Sequence, residues 1–208
     1  MKIAGQVACH RALTPGTFLV ASLLLLAGCS KVHQTNMSPL DTAGMHPDTI
    51  EQLHKDHVTD DEVQQLLTAG RNGLSEQGCL ELVSIARSRH RSFAEGETIA
   101  GMLGAGLKES SVLTIVRLDE LAGFSGEAQA MRLAGISDDV VLNIARRRAK
   151  GETAISGSRL AELRNVGFSN VELVAALDRG ITDKQAQEAI ARHTNGPRTF
   201  VHQAGRRR

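Results

Sequence analysis

Gly73-Leu-Ser-Glu76 and Gly135-Ile-Ser-Asp138 are the clearest copies of the phrase that decides the fold of this chain of 208 residues. Glycine ends a helix because it tolerates the left-handed backbone that follows the last turn. Ser or Thr then begins the next helix by accepting hydrogen bonds from its free N–H groups, and an acid favours the positive helix end. Each copy therefore predicts a helix end followed at once by a helix start. Further copies begin at Gly167 and Gly180, and weaker forms begin at Gly106 and Gly123.

Apolar spacing between the copies predicts that the segments joining them are helical. Val112, Ile115 and Val116 follow a helical period, as do Val140 and Ile144. The sequence therefore predicts an all-α fold of short helices. The predicted helices are 60–69, 76–90, 97–104, 109–121, 126–134, 138–149, 155–165 and 170–179.

Longer matches indicate tandem repeats of about 60 residues. Ile85-Ala-Arg87 recurs as Ile144-Ala-Arg146, and Gly96-Glu-Thr98 recurs as Gly151-Glu-Thr153. The predicted units are 59–120 and 124–179, with a partial third unit at 182–193. Such units favour a solenoid-like stack in which each buries its apolar face on the next, and a compact helical bundle is the alternative.

Residues 160–177 carry a local resemblance. Their sequence, Leu160-Ala-Glu-Leu-Arg-Asn-Val-Gly-Phe-Ser-Asn-Val-Glu-Leu-Val-Ala-Ala-Leu177, resembles the first two helices of ubiquitin-associated domains, which a Met-Gly-Phe-type turn separates. Val166 replaces the usual Met. The resemblance implies a compact three-helix geometry, with a third helix at 183–191, and carries no function over to this chain.

The amino-terminal residues have the layout of an export signal. Lys2 and Arg11 precede an apolar run from Phe18 to Leu26, which leads into Leu26-Ala-Gly-Cys29. The run is about half the length of the roughly 20 residues that a membrane-spanning helix needs. An uncleaved anchor and an ordinary signal peptide remain the alternatives.

The cysteine at this position resembles the lipobox of bacterial lipoproteins. That resemblance implies removal of a signal peptide at 1–28, acylation of Cys29, and attachment of the mature chain to a membrane through its lipid anchor. Ser30 in place of Asp implies, under the enteric sorting rule, the periplasmic side of the outer membrane rather than the inner membrane.

Composition divides the mature chain into three parts. Residues 29–46 are polar and rich in turn formers, which predicts a flexible tether. Residues 47–194 are the predicted helical repeat domain. Residues 195–208 end in Arg206-Arg-Arg208 and are predicted to be a basic disordered tail.

The charge balance argues against a nucleic-acid partner. Loss of Lys2 and Arg11 would leave 22 of the 24 basic residues against 23 acids, and general nucleic-acid binding needs a basic surface. The chain has no Trp or Tyr, so aromatic stacking on bases is nearly excluded. Cys79 would be the one free thiol, and its apolar neighbours predict that it is a buried core residue.

Basic residues gather at two matching helix ends, which makes them candidates for binding an anion or an acidic partner. The alternative is that they only stabilise the negative ends of their helices. The candidate residues are Arg87, Arg89, Arg91, Arg146, Arg147, Arg148 and Lys150.

His54 and His57 are weak metal-site candidates, since residues three apart can lie on one helix face but no third ligand is evident. The sequence contains no nucleophile elbow, phosphate loop or Cys-x-x-Cys pair. We therefore expect no cofactor and no enzymatic activity.

The sequence favours a lipid-anchored envelope protein that acts as a helical-repeat scaffold or adaptor for an unknown envelope protein. The first alternative is structural attachment to lipid phosphate or cell-wall polymer through the arginine-rich patches. An enzyme or a metal-binding protein is the third hypothesis.

Overall fold

The computed structural model describes residues 35–152 and 155–195, and this part of the chain is all-α, as predicted. The predicted signal peptide, Cys29 and the basic tail beyond Asn195 lie outside the described residues. The described helices are α1 Ser38–Thr42, α2 Pro47–Lys55, α3 Asp60–Arg71, α4 Glu76–Ser88, α5 Gly96–Gly104, α6 Glu109–Arg117, α7 Leu121–Leu133, α8 Asp138–Ala149, α9 Gly157–Asn165, α10 Asn170–Asp178 and α11 Asp183–Asn195.

The helices form two rows. Each odd-numbered helix packs on the next odd-numbered one from α1 to α11, and the even-numbered helices pack in the same way from α2 to α10. The structural repeat is therefore a helix pair, and buried apolar residues from the successive pairs form one continuous cluster. The predicted unit 59–120 holds the two pairs α3–α4 and α5–α6.

The predicted tether at 29–46 needs correction at its carboxyl side. Residues 38–42 form α1, and the side chain of Leu40 in this helix is fully buried against the core. The folded part of the chain therefore begins before residue 47. The first pair, α1–α2, packs on α3–α4 as later pairs pack on each other.

The boundary between α6 and α7 also differs from the prediction. Asp119 has a φ of 62° and ends α6 in the left-handed conformation, so α7 begins at Leu121 and runs through Gly123-Phe-Ser-Gly126. The weak copy of the junction phrase at Gly123 therefore lies inside a helix. An aspartate supplies the turn that the sequence pattern assigned to a glycine.

A residue of positive φ occurs at every junction between consecutive described helices. Glycine fills all the junctions that lead from an odd to an even helix, whereas three of those that lead back use His or Asp, which tolerate this region better than most residues. The residues are Gly44, His57, Gly73, His90, Gly106, Asp119, Gly135, Gly151, Gly167 and Gly180.

The acid of the junction phrase caps the preceding helix pair. Asp138, the first residue of α8, accepts hydrogen bonds from the Lys108 N–H at 2.9 Å and the Ser111 hydroxyl at 2.8 Å, both at the start of α6. The first residue of three other even helices binds in the same way to the residue before the preceding even helix. These contacts are Glu76 with His46 N–H, Glu109 with Ser75 N–H, and Asn170 with Ser137 N–H. We call Glu76, Glu109, Asp138 and Asn170 the N-cap ladder.

The ladder explains the glycine at residue 78. A Cβ atom there would lie 2.2 Å from Oε1 of Glu109, closer than any real contact, so a side chain would push the ladder residue away. Gly78 is the third residue of α4, where the equivalent Ser111 of α6 donates to Asp138. Glycine therefore lets the longer glutamate approach the start of α4.

The ladder stops at both ends of the described stack. Pro47 is the first residue of α2 and has no side-chain acceptor, so no ladder contact leaves the amino-terminal end. At the other end the Ser169 N–H donates to Glu172 of its own helix at 2.7 Å, and the Thr182 N–H donates to Gln185 at 2.9 Å. In α10 and α11, a side chain of the helix itself thus accepts the hydrogen bond from the N–H of the residue that precedes it.

A comparison of Asp138→Ala with Asp139→Ala separates the hydrogen bonds of the N-cap ladder from the general stabilisation that any acid gives near the start of a helix. We expect Asp138→Ala to lower the free energy of unfolding by about 2 kcal/mol, because it removes the side-chain acceptor of the Lys108 and Ser111 hydrogen bonds. Asp139→Ala removes the same charge one residue later, where the side chain is exposed, and should cost no more than about 0.5 kcal/mol. Denaturant unfolding measures both, and equal losses would contradict the ladder.

Candidate functional site

Arg87 forms a tight ion pair with a buried acid. Its guanidinium donates to both carboxylate oxygens of Glu62, at 2.7 and 2.8 Å, and the Glu62 side chain is only 1 % exposed. The same guanidinium donates to the carbonyls of Asp56 at 3.0 Å and His57 at 3.3 Å. Arg87 therefore joins α4 to α3 and to the end of α2.

Glu62 is ionised because its hydrogen bonds outweigh its burial. Burial alone raises its pKa, but donation from Arg87, from Phe93 N–H at 2.7 Å and from Thr59 N–H at 2.9 Å lowers the pKa from 4.5 to about 2. The carboxylate also caps α3, since Thr59 and Glu62 form a capping box. The pair therefore stabilises the joint between α2, α3, α4 and the segment before α5.

The other candidate arginines at the end of α4, Arg89 and Arg91, contact residues of the next helix pair. Arg89 donates to Asp119 at 2.8 Å and to the Arg117 carbonyl at 2.8 Å, both at the end of α6. Arg91 lies 3.5 Å from Asp119 and 3.4 Å from Glu95. Arg87 thus binds backward along the stack, and Arg89 binds forward.

The arginines at the end of α8 likewise contact both the preceding and the following helix pair. Arg148 lies 3.3 Å from Glu120 and 3.0 Å from Glu127, and its guanidinium stacks 5.4 Å from the centre of the Phe124 ring. Arg147 is 3.7 Å from Asp178 at the end of α10. Arg148 therefore binds backward to α7 and Arg147 forward to α10.

Arg146 and Lys150 differ from the other five candidates. Both are exposed, and neither makes an ion pair or side-chain hydrogen bond within residues 35–152 and 155–195. Most of the predicted anion-binding residues therefore hold the stack together through carboxylates of this chain. Arg146 and Lys150 are the two whose charges are open to an outside ligand.

The histidine candidates are not drawn into a metal site by the fold. His54 and His57 are both exposed, at the end of α2 and at the left-handed turn that follows it. In the described part of the chain no group of three His, Cys, Asp or Glu side chains could hold a metal ion.

Cys79 lies in the core at 1 % exposure. Burial, followed by the charges of Glu109 and Glu76, raises the pKa of its thiol to about 12. The thiol is therefore protonated at neutral pH and a poor nucleophile.

Sequence reasoning missed an exposed apolar pair on α10. Val171 is 78 % exposed and Val174 is 40 % exposed, and they are two of the three large apolar side chains that the described residues expose, with Leu133. Val171 is the second residue of its helix, a position that Gln77, Ser110 and Asp139 fill in the earlier even helices. A comparison of helix pairs, rather than of units twice that length, would have shown a valine where the repeat is polar.

No family model matches the chain, and no curated protein or solved structure resembles it significantly. Among the helices of residues 35–152 and 155–195, none has the length and apolar character needed to cross a membrane.

Glu62→Gln tests the buried pair through its pH dependence. Because the pKa of Glu62 is lowered from 4.5 to about 2, the carboxylate stabilises the fold fully above pH 4.5 and loses this contribution as the pH falls toward 2. We expect the variant to be about 3 kcal/mol less stable at neutral pH, with the difference shrinking across that window. Glu97→Gln, at an exposed site on α5, is the control. A pH-independent difference, measured by denaturant unfolding, would contradict the assignment.

Proposed function

We propose that this chain is a lipid-anchored, helical-repeat scaffold that holds a protein partner at the cell envelope. Three features support the proposal. The sequence from Leu26 to Cys29 resembles a lipobox, the folded part is a stack of helix pairs, and α10 exposes an apolar surface.

The exposed valines of α10 are the observation that carries the binding role. The equivalent of Val174 is Leu80 in α4, Leu113 in α6 and Leu142 in α8, all of them buried or half-buried. In α10 this position and the neighbouring Val171 are open to solvent. Adjacent apolar side chains that the fold leaves exposed are typical of the centre of a protein interface.

Arginine residues hold the stack together and do not compete with this surface. Arg147 lies 3.7 Å from Asp178 at the far end of α10, away from the valines.

Attachment to lipid phosphate or cell-wall polymer is the second candidate. The observation that favours it is the pair of unengaged cations at the end of α8, Arg146 and Lys150. Attachment of this kind is electrostatic and weakens steeply as salt rises.

Metabolic labelling tests the anchor. We expect radiolabelled palmitate to be incorporated into the wild-type chain and into Cys9→Ser, whose cysteine lies in the predicted signal peptide, but not into Cys29→Ser. The last variant should also keep an uncut amino terminus, because lipidation precedes cleavage in the family that this segment resembles. Labelling of Cys29→Ser would contradict the lipid anchor.

Site-specific photocrosslinking in the native envelope tests the binding surface. A photoreactive residue at Val171 should give a discrete adduct, and one at Gln77, the matching position of α4, should not. The adduct should persist at moderate salt, since the contact is apolar. Equal adducts at both positions would refute the α10 surface, and loss of the adduct with salt would favour the electrostatic candidate.

A further inference from the structure

A cavity of about 220 Å³ lies at the joint between the first two helix pairs. Most of its lining comes from the junction between α1 and α2, the end of α3 and the start of α4. The lining residues that matter below are Gly44, Leu66, Leu67, Gly70, Leu74 and Glu76. Two of them are glycines that face open space, since a Cβ atom on Gly44 or Gly70 would meet nothing within 4 Å.

The corresponding joint between the third and fourth helix pairs is filled by an arginine. Arg132, near the end of α7, donates from Nε to the Gly106 carbonyl at 2.8 Å and from a terminal nitrogen to the Ile136 carbonyl at 3.1 Å. The Nε atom also lies 3.2 Å from Asp138 of the N-cap ladder. One guanidinium thus binds the junction of the preceding pair, the junction of its own pair and a ladder acid.

Each group that holds Arg132 has a counterpart around the cavity. Gly44 corresponds to Gly106 as the glycine of the preceding junction, and Leu74 corresponds to Ile136 as the residue after the junction glycine. Glu76 corresponds to Asp138, since each accepts from the start of the preceding even helix.

What differs at the first joint is the residue that fills it. Arg132 lies three residues before Gly135, and the residue three before Gly73 is Gly70. The joint between the fourth and fifth pairs repeats the arginine pattern, because Arg164 lies three residues before Gly167 and donates to the Phe168 carbonyl at 2.9 Å, whereas Leu103 takes this place at the joint between the second and third pairs.

The open space around the glycines has the same explanation. A Cβ on Gly106 would lie 3.9 Å from the guanidinium of Arg132, and one on Gly135 would lie 3.9 Å from that of Arg164. At the first joint neither glycine has such a neighbour. The cavity therefore lies at the place that the Arg132 side chain fills at the joint between the third and fourth pairs.

We propose that this cavity is a binding site for an alkylguanidinium group, either a small free molecule or the arginine side chain of a partner polypeptide. The group enters beside Gly70, lays its alkyl stem along Leu66, Leu67 and Leu74, and donates to the Gly44 and Leu74 carbonyls and to Glu76. The atoms that Gly70 lacks relative to an arginine, from Cβ outward, are those of propylguanidinium.

The volume and the charge suit this ligand. An apolar cavity of about 150 Å³ holds benzene, so 220 Å³ has room for propylguanidinium. Hydrogen bonds from the Thr49 hydroxyl and then from the His46 N–H lower the pKa of Glu76, so its carboxylate is charged at neutral pH. Arg71, at the rim, has no partner in the described residues and opposes a cation, so Arg71→Gln should tighten binding.

Thermal unfolding of the full chain with propylguanidine tests the site. At a ligand concentration of 100 times Kd we expect the Tm of the wild type to rise by about 5 °C. Gly70→Arg, which supplies the missing side chain, should melt higher without ligand and show no such rise. Gly70→Ala gains the same kind of helix stabilisation but leaves the cavity open, so it should respond as the wild type does.

Ligand analogues separate the guanidinium contacts from simple filling of a hole. Propylurea has nearly the same shape but no charge, and it should stabilise the wild type far less. An equal response of Gly70→Arg and Gly70→Ala to propylguanidine, or equal stabilisation by propylurea, would overturn the proposal. Binding of propylguanidine alone identifies a small molecule as the ligand, and binding of N-acetyl-arginine amide as well identifies a partner's arginine.

Arg132→Gly provides an independent test, because it should create a second cavity of the same kind. We expect the variant to melt below the wild type and to regain part of the loss with propylguanidine but not with propylurea. A folded variant that is not rescued would overturn the correspondence between the two joints. The site does not depend on the lipid anchor or the α10 surface, so failure of either set of experiments leaves the other readable.

Discussion

The starts of α2, α4, α6 and α8 take an acceptor from the next even helix, and this contact governs the stack. The first N–H groups of a helix have no partner inside it. Here the first residue of the following even helix provides the acceptor, as Asp138 does for Lys108. Because the contact joins residues one pair apart, it fixes the register of the row and makes each of the first four pairs depend on its successor. Asn170 preserves the geometry without a charge, and its amide also donates to the Gly135 carbonyl at 3.4 Å.

Ion pairs also join successive helix pairs at the opposite edge of the stack, where the even helices end. Arginines at the ends of α4 and α8 meet carboxylates of the neighbouring helix pairs there, and the helix dipole also favours a cation at a helix end. Arg87 with Glu62 and Arg148 with Glu127 are the backward members, and Arg89 with Asp119 is a forward one. The repeated arginines of the sequence are thus explained mainly by the assembly of the stack. Arg146 and Lys150 are not explained in this way.

Helix boundaries could be predicted where glycine marks a junction, since its conformational freedom is a local property. The junctions at His57, His90 and Asp119 have no glycine to mark them. The sequence did not predict α1, because a helix of five residues with one buried side chain has no periodic apolar pattern. The ladder could not be read from the sequence, since an acid at a helix start is equally consistent with capping of its own helix. The cavity beside Gly70 depends on contacts between helix pairs, so local spacing in the sequence could not predict it.

The way the ladder ends has a consequence for self-association. A filament of this protein would require the carboxyl-terminal pair of one copy to accept the amino-terminal pair of another as its successor. Pro47 offers no acceptor to such a neighbour, and Glu172 already occupies the N–H of Ser169. Open-ended polymer growth needs a contact that repeats without closing, and the ladder contact is blocked on both sides of that junction. Within the described residues, the contact that joins successive even helices therefore cannot join two copies end to end.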